Sequence, residues 1–260
     1  ELTPLSALSL AEVFQEAGLP DGVFNVVQGF AETGQALTAH PGIDKVSLTG
    51  EVGTGKAVMR AASDSLKAVT LELGGKSPLI VFEDADLDNA VSGALLGNFY
   101  TQGQVCTNGT RVFVHESVKD AFVEKLLART GKMVLGDPLD PETHVGPLIS
   151  EAAVEGMLQA VEQVKSQGGE VLCGGGRHTD GICSKGFFVQ PTVVKAKPGM
   201  QIMQEETFAP LLYLVEVDDL HEAIRLQNDV PQGLSSAIFT RDLQEAERFQ
   251  DVGDRCEQAG

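Results

Sequence analysis

Apolar residues at Leu10, Val13, Phe14 and Ala17 repeat at i, i+3, i+4 and i+7, the spacing of one face of a helix. Thr3 is the expected N-cap of that helix, Pro4 its first residue, and Gly18 with Pro20 its stop. Residues 23–27 (Val-Phe-Asn-Val-Val) then read as a buried strand, 32–40 as a helix, 45–49 as a strand, 54–62 as a helix and 68–73 as a strand. The alternation continues with a strand at 79–82, a helix at 86–99, a polar loop around Cys106 and a strand at 111–115. Helices at 118–132 and 151–167, strands near 170–173, 187–194 and 211–217, and a helix at 219–228 complete the pattern. Strands alternating with helices predict an α/β fold with a parallel sheet, in which ligands collect beyond the carboxyl ends of the strands. Glu72 stands at such an end. Paired glycines let a chain turn where β-carbons would obstruct it, so Gly74-Gly75 is the expected domain boundary, dividing 1–74 from 75–260.

Composition narrows the class. A chain of 260 residues with 42% hydrophobic content can bury one large core or two modest ones. Its 19 basic and 37 acidic residues leave a net charge of −18, which repels phosphate backbones and anionic lipid and argues against nucleic-acid or membrane partners. Cys106, Cys173, Cys183 and Cys256 show no Cys-x-x-Cys spacing, which fits a reducing, cytoplasmic setting. The five histidines do not cluster at ligand spacing, so no metal site is expected. Residue 1 is Glu, and the chain opens directly into a helix, as expected of a fragment.

Two residues carry the chemistry. Cys106 lies in Gln102-Gly-Gln-Val-Cys-Thr-Asn-Gly109, a polar, glycine-flanked setting suited to a presented thiol. Backbone N–H groups nearby could lower its pKa and hold an oxyanion. Glu72 lies in Thr70-Leu-Glu-Leu-Gly-Gly75, where a buried strand would raise a carboxyl's pKa and make it a base. A thiolate and a carboxylate together suit acyl chemistry, one attacking carbon and the other activating water. Gly50 to Lys56 matches the G-x-x-x-x-G-K core of a P-loop. Ala57 follows, however, where a P-loop needs a hydroxyl for Mg²⁺, which argues against a nucleotide triphosphatase.

Leu71-Glu-Leu-Gly-Gly-Lys-Ser-Pro78 and Tyr100-Thr-Gln-Gly-Gln-Val-Cys-Thr-Asn-Gly-Thr-Arg111 resemble, residue by residue, the two signatures of the aldehyde dehydrogenase superfamily, and their separation is the one that family uses. The resemblance implies that Cys106 forms a thiohemiacetal with an aldehyde and, after hydride transfer to NAD or NADP, a thioester hydrolysed by Glu72-activated water. It implies that the helix following Gly50, Glu51 and Gly55 meets the cofactor pyrophosphate. Leu73 would contact the nicotinamide through its backbone, Glu206 would bind the nicotinamide ribose and Phe208 would brace the nicotinamide. Residues 1–74 become the C-terminal portion of a dinucleotide-binding domain and 75–260 a catalytic domain incomplete at its C-terminus. The intact parent is expected to be a homo-oligomer acting on a small aldehyde.

The chain departs from the family at Glu51, where Ser or Gly is usual, at Leu48 for Phe, and at Ala209 for Gly. A carboxylate facing pyrophosphate weakens binding unless it turns away or meets a cation. Asn98 to Arg111 is similar to the betaine aldehyde and trimethylaminobutyraldehyde branch, whereas 204–210 and 228–240 are similar to the antiquitin branch. There is no Trp to cage a quaternary ammonium, so that role would fall to Tyr100. The tail from Asp251 to Gly260 matches neither. Because the resemblance spans only the middle of the family's length, two other readings stay open: a truncated, non-catalytic remnant and a cofactor-independent thiol esterase.

Overall fold

The computed structural model describes residues 1–250, which leaves Cys256 and the tail from Asp251 outside the described residues. The chain forms two compact units, Glu1–Leu73 and the residues from Gly74 onward.

In the first unit, helix α1 (Leu5–Glu16) is capped by Pro4 with no side-chain cap hydrogen bond, so Thr3 does not serve as the expected cap. Its apolar stripe is exposed rather than buried, with Val13 57% accessible; Phe14 packs edge-on against Phe24, ring centroids 4.8 Å apart. Residues 23–27 are not a strand. A strand exists only through pairing, and the two strands of this unit pair with each other and leave this segment exposed. Helix α2 (Ala31–Ala39) follows, then β1 (Lys45–Thr49), α3 (Val52–Ser63) and β2 (Ala68–Glu72). β1 and β2 run parallel, in register from Lys45 opposite Ala68 to Thr49 opposite Glu72, with α3 as the crossover.

The second unit is a six-stranded sheet in the order β5-β6-β7-β4-β3-β8. Its strands are β3 (Pro78–Val81), β4 (Arg111–His115), β5 (Glu170–Cys173), β6 (Thr192–Lys195), β7 (Leu211–Val217) and β8 (Ala237–Phe239). All pairings are parallel except β5 with β6, so the sheet is mixed where a parallel one was expected. The stretch 187–194 joins the sheet only from Thr192, and β8 and helix α8 (Leu243–Arg248) lie beyond the elements that the pattern predicts.

Successive side chains of a strand face opposite ways, and here both faces are covered. Leu79, Val81, Val112, Val114, Leu212 and Leu214 pack under helices α4 (Leu87–Phe99) and α5 (Glu116–Thr130). Ile80, Phe113, Tyr213 and Val215 pack on the other face with Val161 and Val164 of α6 (Glu151–Ser166) and Ala223 and Leu226 of α7 (Leu220–Gln227). This double coverage explains why β3, β4 and β7 are near-continuous apolar runs. Local signals end the helices cleanly: Asp86 caps α4 by accepting from the Asp88 and Asn89 amides, and Ser150 and Asp219 cap α6 and α7.

Strand order also determines what meets at the edge of the sheet. Residues 74–77, the Cys106 loop and residues 205–210 are the segments entering β3, β4 and β7, three adjacent parallel strands. They therefore lie side by side at the amino ends of those strands, not at the carboxyl ends where the alternating pattern led one to look.

Candidate active site

Within the first unit, Glu72 is the last residue of β2, and its carbonyl accepts from the Gly50 amide at 3.0 Å. The Glu72 side chain is exposed, because β2 alternates exposed and half-buried positions and is not the buried strand expected from its apolar neighbours. Glu51 is the N-cap residue of α3. Its carboxylate stays over the first turn of the helix: Oε1 accepts from Thr54 Oγ1 at 3.2 Å and lies 2.7 Å from where a Cβ on Gly53 would be. Gly55 is buried, and a Cβ there would come within 2.7 Å of Leu73 Cδ2, so this glycine allows helix and strand to pack closely.

In the second unit, the thiol loop is held at many points. After α4 a short 3-10 turn, Tyr100–Gly103, places Thr101 and Gln102 in the left-handed region at φ 49 and 56, conformations that cost about 1 kcal/mol or more each. The cost is offset by anchoring. Gln102 Oε1 accepts from the Gly146 amide at 3.1 Å, and Gln104 Oε1 from the Ile149 amide at 3.2 Å. Asn108 Nδ2 donates to the Gly103 carbonyl at 2.7 Å, and Asn98 Nδ2 donates to the Gly109 carbonyl at 3.0 Å. Gly103 itself, at φ 73, lies against the Ala209 backbone with no room for a Cβ. Cys106 is half-buried within this braced turn, a free thiol whose carbonyl oxygen is 2.9 Å from where a Cβ on Gly75 would sit.

Gly75 also meets the third segment. Its amide donates to Glu206 Oε1 at 3.2 Å, and a Cβ on neighbouring Gly74 would overlap the Glu206 carboxylate. Burial pushes the Glu206 carboxyl up, while the Gly75 hydrogen bond and the Lys76 charge pull it back. Phe208, at φ 54, is 42% exposed beside it. A half-buried carboxylate with one oxygen on an amide and the other beside a glycine suits the adjacent hydroxyls of a ribose. The donor set at Glu206 thus fits a diol such as a ribose, whereas a carboxylate at the N-terminus of α3 does not favour an anion there.

Residues that the motifs did not single out brace this edge. Arg111 is 2% exposed and spends its guanidinium on three carbonyls: Nε on Lys76 at 2.7 Å, Nη1 on Leu226 at 3.1 Å and Nη2 on Gln227 at 2.9 Å. Burial lowers its pKa to about 10. Lys76, also 2% exposed, carries its ammonium 4.5 Å above the Tyr213 ring. An arginine opening an apolar strand was the one visible signal for this pair, since such a charge must find fixed partners.

Residues 1–254 match the model of the aldehyde dehydrogenase family. Betaine aldehyde dehydrogenase of Vibrio vulnificus strain CMCP6 is 53% identical over 249 residues, covering 95% of this chain and 51% of that one. The crystal structure of PnpE in complex with nicotinamide adenine dinucleotide superimposes with a TM-score of 0.95 at 40% identity, covering 97% of this chain and 52% of that one. A double mutant of betaine aldehyde dehydrogenase from Staphylococcus aureus, in complex with NAD+, gives a TM-score of 0.92 at 36% identity, covering 96% and 50%. The chain spans about half the length of the relatives it matches. With the family model matched across nearly all its residues, this chain belongs to the aldehyde dehydrogenase family.

Proposed function

We propose that the protein oxidises an aldehyde to a carboxylic acid with NAD as cofactor, Cys106 acting as nucleophile and Glu72 as base. The observation that carries this reading is the half-buried Cys106 thiol on a loop braced by Gln102, Gln104 and Asn108 beside the Glu206 carboxylate segment. A fixed thiol approaches a carbonyl carbon without first ordering its loop, and positioning of that kind lowers the barrier to attack.

Residues 1–74 then serve as part of a dinucleotide-binding domain and the residues from 75 as the catalytic domain. Cys106 adds as thiolate to the aldehyde carbon, giving a thiohemiacetal. NAD, when bound, supplies the acceptor for the hydride whose loss leaves a thioester on Cys106. Glu72 takes a proton from water, which attacks the thioester and releases acid and thiol. Glu206 would hold the nicotinamide ribose, Phe208 would brace the nicotinamide ring, Leu73 would offer it backbone contacts, and Gly50, Glu51 and Gly55 would form the turn under the pyrophosphate. We favour betaine aldehyde as substrate, on the likeness to the Vibrio vulnificus enzyme. Tyr100, 65% exposed, offers an aromatic face to a quaternary ammonium. No helix among the described residues is long and apolar enough to cross a membrane.

The test uses the full-length protein with betaine aldehyde and NAD. Cys106→Ala should abolish both NADH production and ester hydrolysis. Glu72→Gln should keep a first-turnover burst of NADH while slowing the steady state, since only thioester hydrolysis needs the base. Full activity in Cys106→Ala sinks the mechanism; ester hydrolysis with no NAD-dependent turnover in the wild type identifies a thiol esterase; inactivity in both assays identifies a remnant.

A further inference from the structure

Lys76 is a buried cation whose neighbours are a ring face and carboxylates. Its side-chain nitrogen has no hydrogen-bond partner among the described residues, although it is 2% exposed. It borders a cavity of about 10 Å³ together with Glu206, Asn108 and Thr110, and the Thr110 hydroxyl there is likewise unpartnered. Lysines are rarely buried so, because taking an ammonium out of water costs several kcal/mol on general grounds. A residue needed only to fill this space would be better apolar.

The charges around it come from three elements. Arg111 on β4 repels it; Glu205 and Glu206, on the segment entering β7, attract it; and the Tyr213 ring on β7 lies beneath it. Tyr213 stays neutral, its hydroxyl pushed up to about 12 by burial. Lys76 directly follows Gly75, the residue whose amide holds the Glu206 carboxylate.

We propose that Lys76 is a positioning residue for the cofactor: its buried ammonium, on the wall of the cavity that it shares with Glu206, supports that carboxylate as the acceptor of the ribose hydroxyls. The proposal rests on the reading of Glu206 as the ribose-binding residue. Burial alone would let Glu206 take up a proton as the pH falls, and a protonated carboxyl loses acceptor capacity. Burial and Arg111 lower the lysine's own pKa to about 7, so its charge is present below neutrality and fades above it.

NAD dissociation constants of the full-length protein, measured calorimetrically at pH 6 and pH 8.5, test this. Lys76→Met, which fills the space without charge, should bind NAD about five-fold more weakly than wild type at pH 6, a small coupling for two interacting sites, and equally well at pH 8.5. A loss of the same size at both pH values, as a packing defect would produce, overturns the proposal, and so does no loss at pH 6. If Lys76→Met does not fold, Lys76→Gln is measured against the same two outcomes. Glu206→Gln separates this proposal from the reading beneath it: NAD binding unchanged by Glu206→Gln removes the ribose role of Glu206. Weakened binding in Glu206→Gln, with a pH-independent effect of Lys76→Met, removes only the role of Lys76.

Discussion

The Gly75 amide donates to the Glu206 carboxylate at 3.2 Å, joining two residues 131 positions apart. A Cβ on Gly75 would also come within 2.9 Å of the Cys106 carbonyl oxygen, so one glycine touches both the thiol loop and the carboxylate segment. With Gly74 beside it, the pair gives the LELGGK motif a physical reason: side chains at either position would enter space that the other two segments occupy.

Gly74→Ala should therefore displace Glu206 while leaving the core intact, because the overlapping atoms are the far end of a side chain that can swing away. NAD affinity of the full-length protein should fall, with the urea midpoint nearly unchanged. Unchanged affinity would mean that the carboxylate position is irrelevant to the cofactor.

Glu51 sits at the N-terminus of α3 with its carboxylate folded against Thr54. A helix N-terminus favours anions, and a fixed carboxylate there competes with pyrophosphate. Glu51→Ser should improve NAD binding by about 1 kcal/mol, the scale of a charge at a helix end. Calorimetric titration at low and high salt checks this, since the gain should shrink as salt screens the charge.

Lys76 makes stability depend on pH. The folded protein releases its proton near pH 7, whereas the unfolded chain keeps it up to the ordinary value of 10.5. Between those values the unfolded state binds more protons, so this group's contribution to stability rises with pH. Lys76→Met should be more stable than wild type at pH 6, with the difference narrowing towards pH 9, as read by urea denaturation. A variant that is less stable at pH 6 would show that the ammonium has a partner the burial does not reveal.

Arg111→Lys keeps the charge but loses the planar fork that reaches the carbonyls of Lys76, Leu226 and Gln227. Leaving buried acceptors unmatched costs about 1–3 kcal/mol each. The substitution should destabilise the protein by roughly 3 kcal/mol, allowing for partial repair by the lysine. A change below about 0.5 kcal/mol, the size usual for uninvolved surface sites, would contradict this account.

The sequence by itself determined much of the secondary structure and pointed to the candidate reactive groups. The pattern of apolar and polar positions located α4, α6 and α7, and the structure shows their cap residues Asp86, Ser150 and Asp219 acting within a few residues of themselves. The apolar runs of β4 and β7 marked buried strands because both faces of that sheet are covered. The same reasoning failed at residues 23–27 and for the burial of Glu72, since pairing and covering layers are supplied by distant parts of a chain. Motifs named Cys106, Glu72 and Glu206 but said nothing of their neighbours. Only the tertiary structure decided that the segments entering β3, β4 and β7 lie side by side, bringing Gly75 to both Cys106 and Glu206 and burying Lys76 beneath them. Helix caps and alternation are local and legible in order along the chain, whereas strand order is a property of the packed sheet and sets which distant residues share an environment.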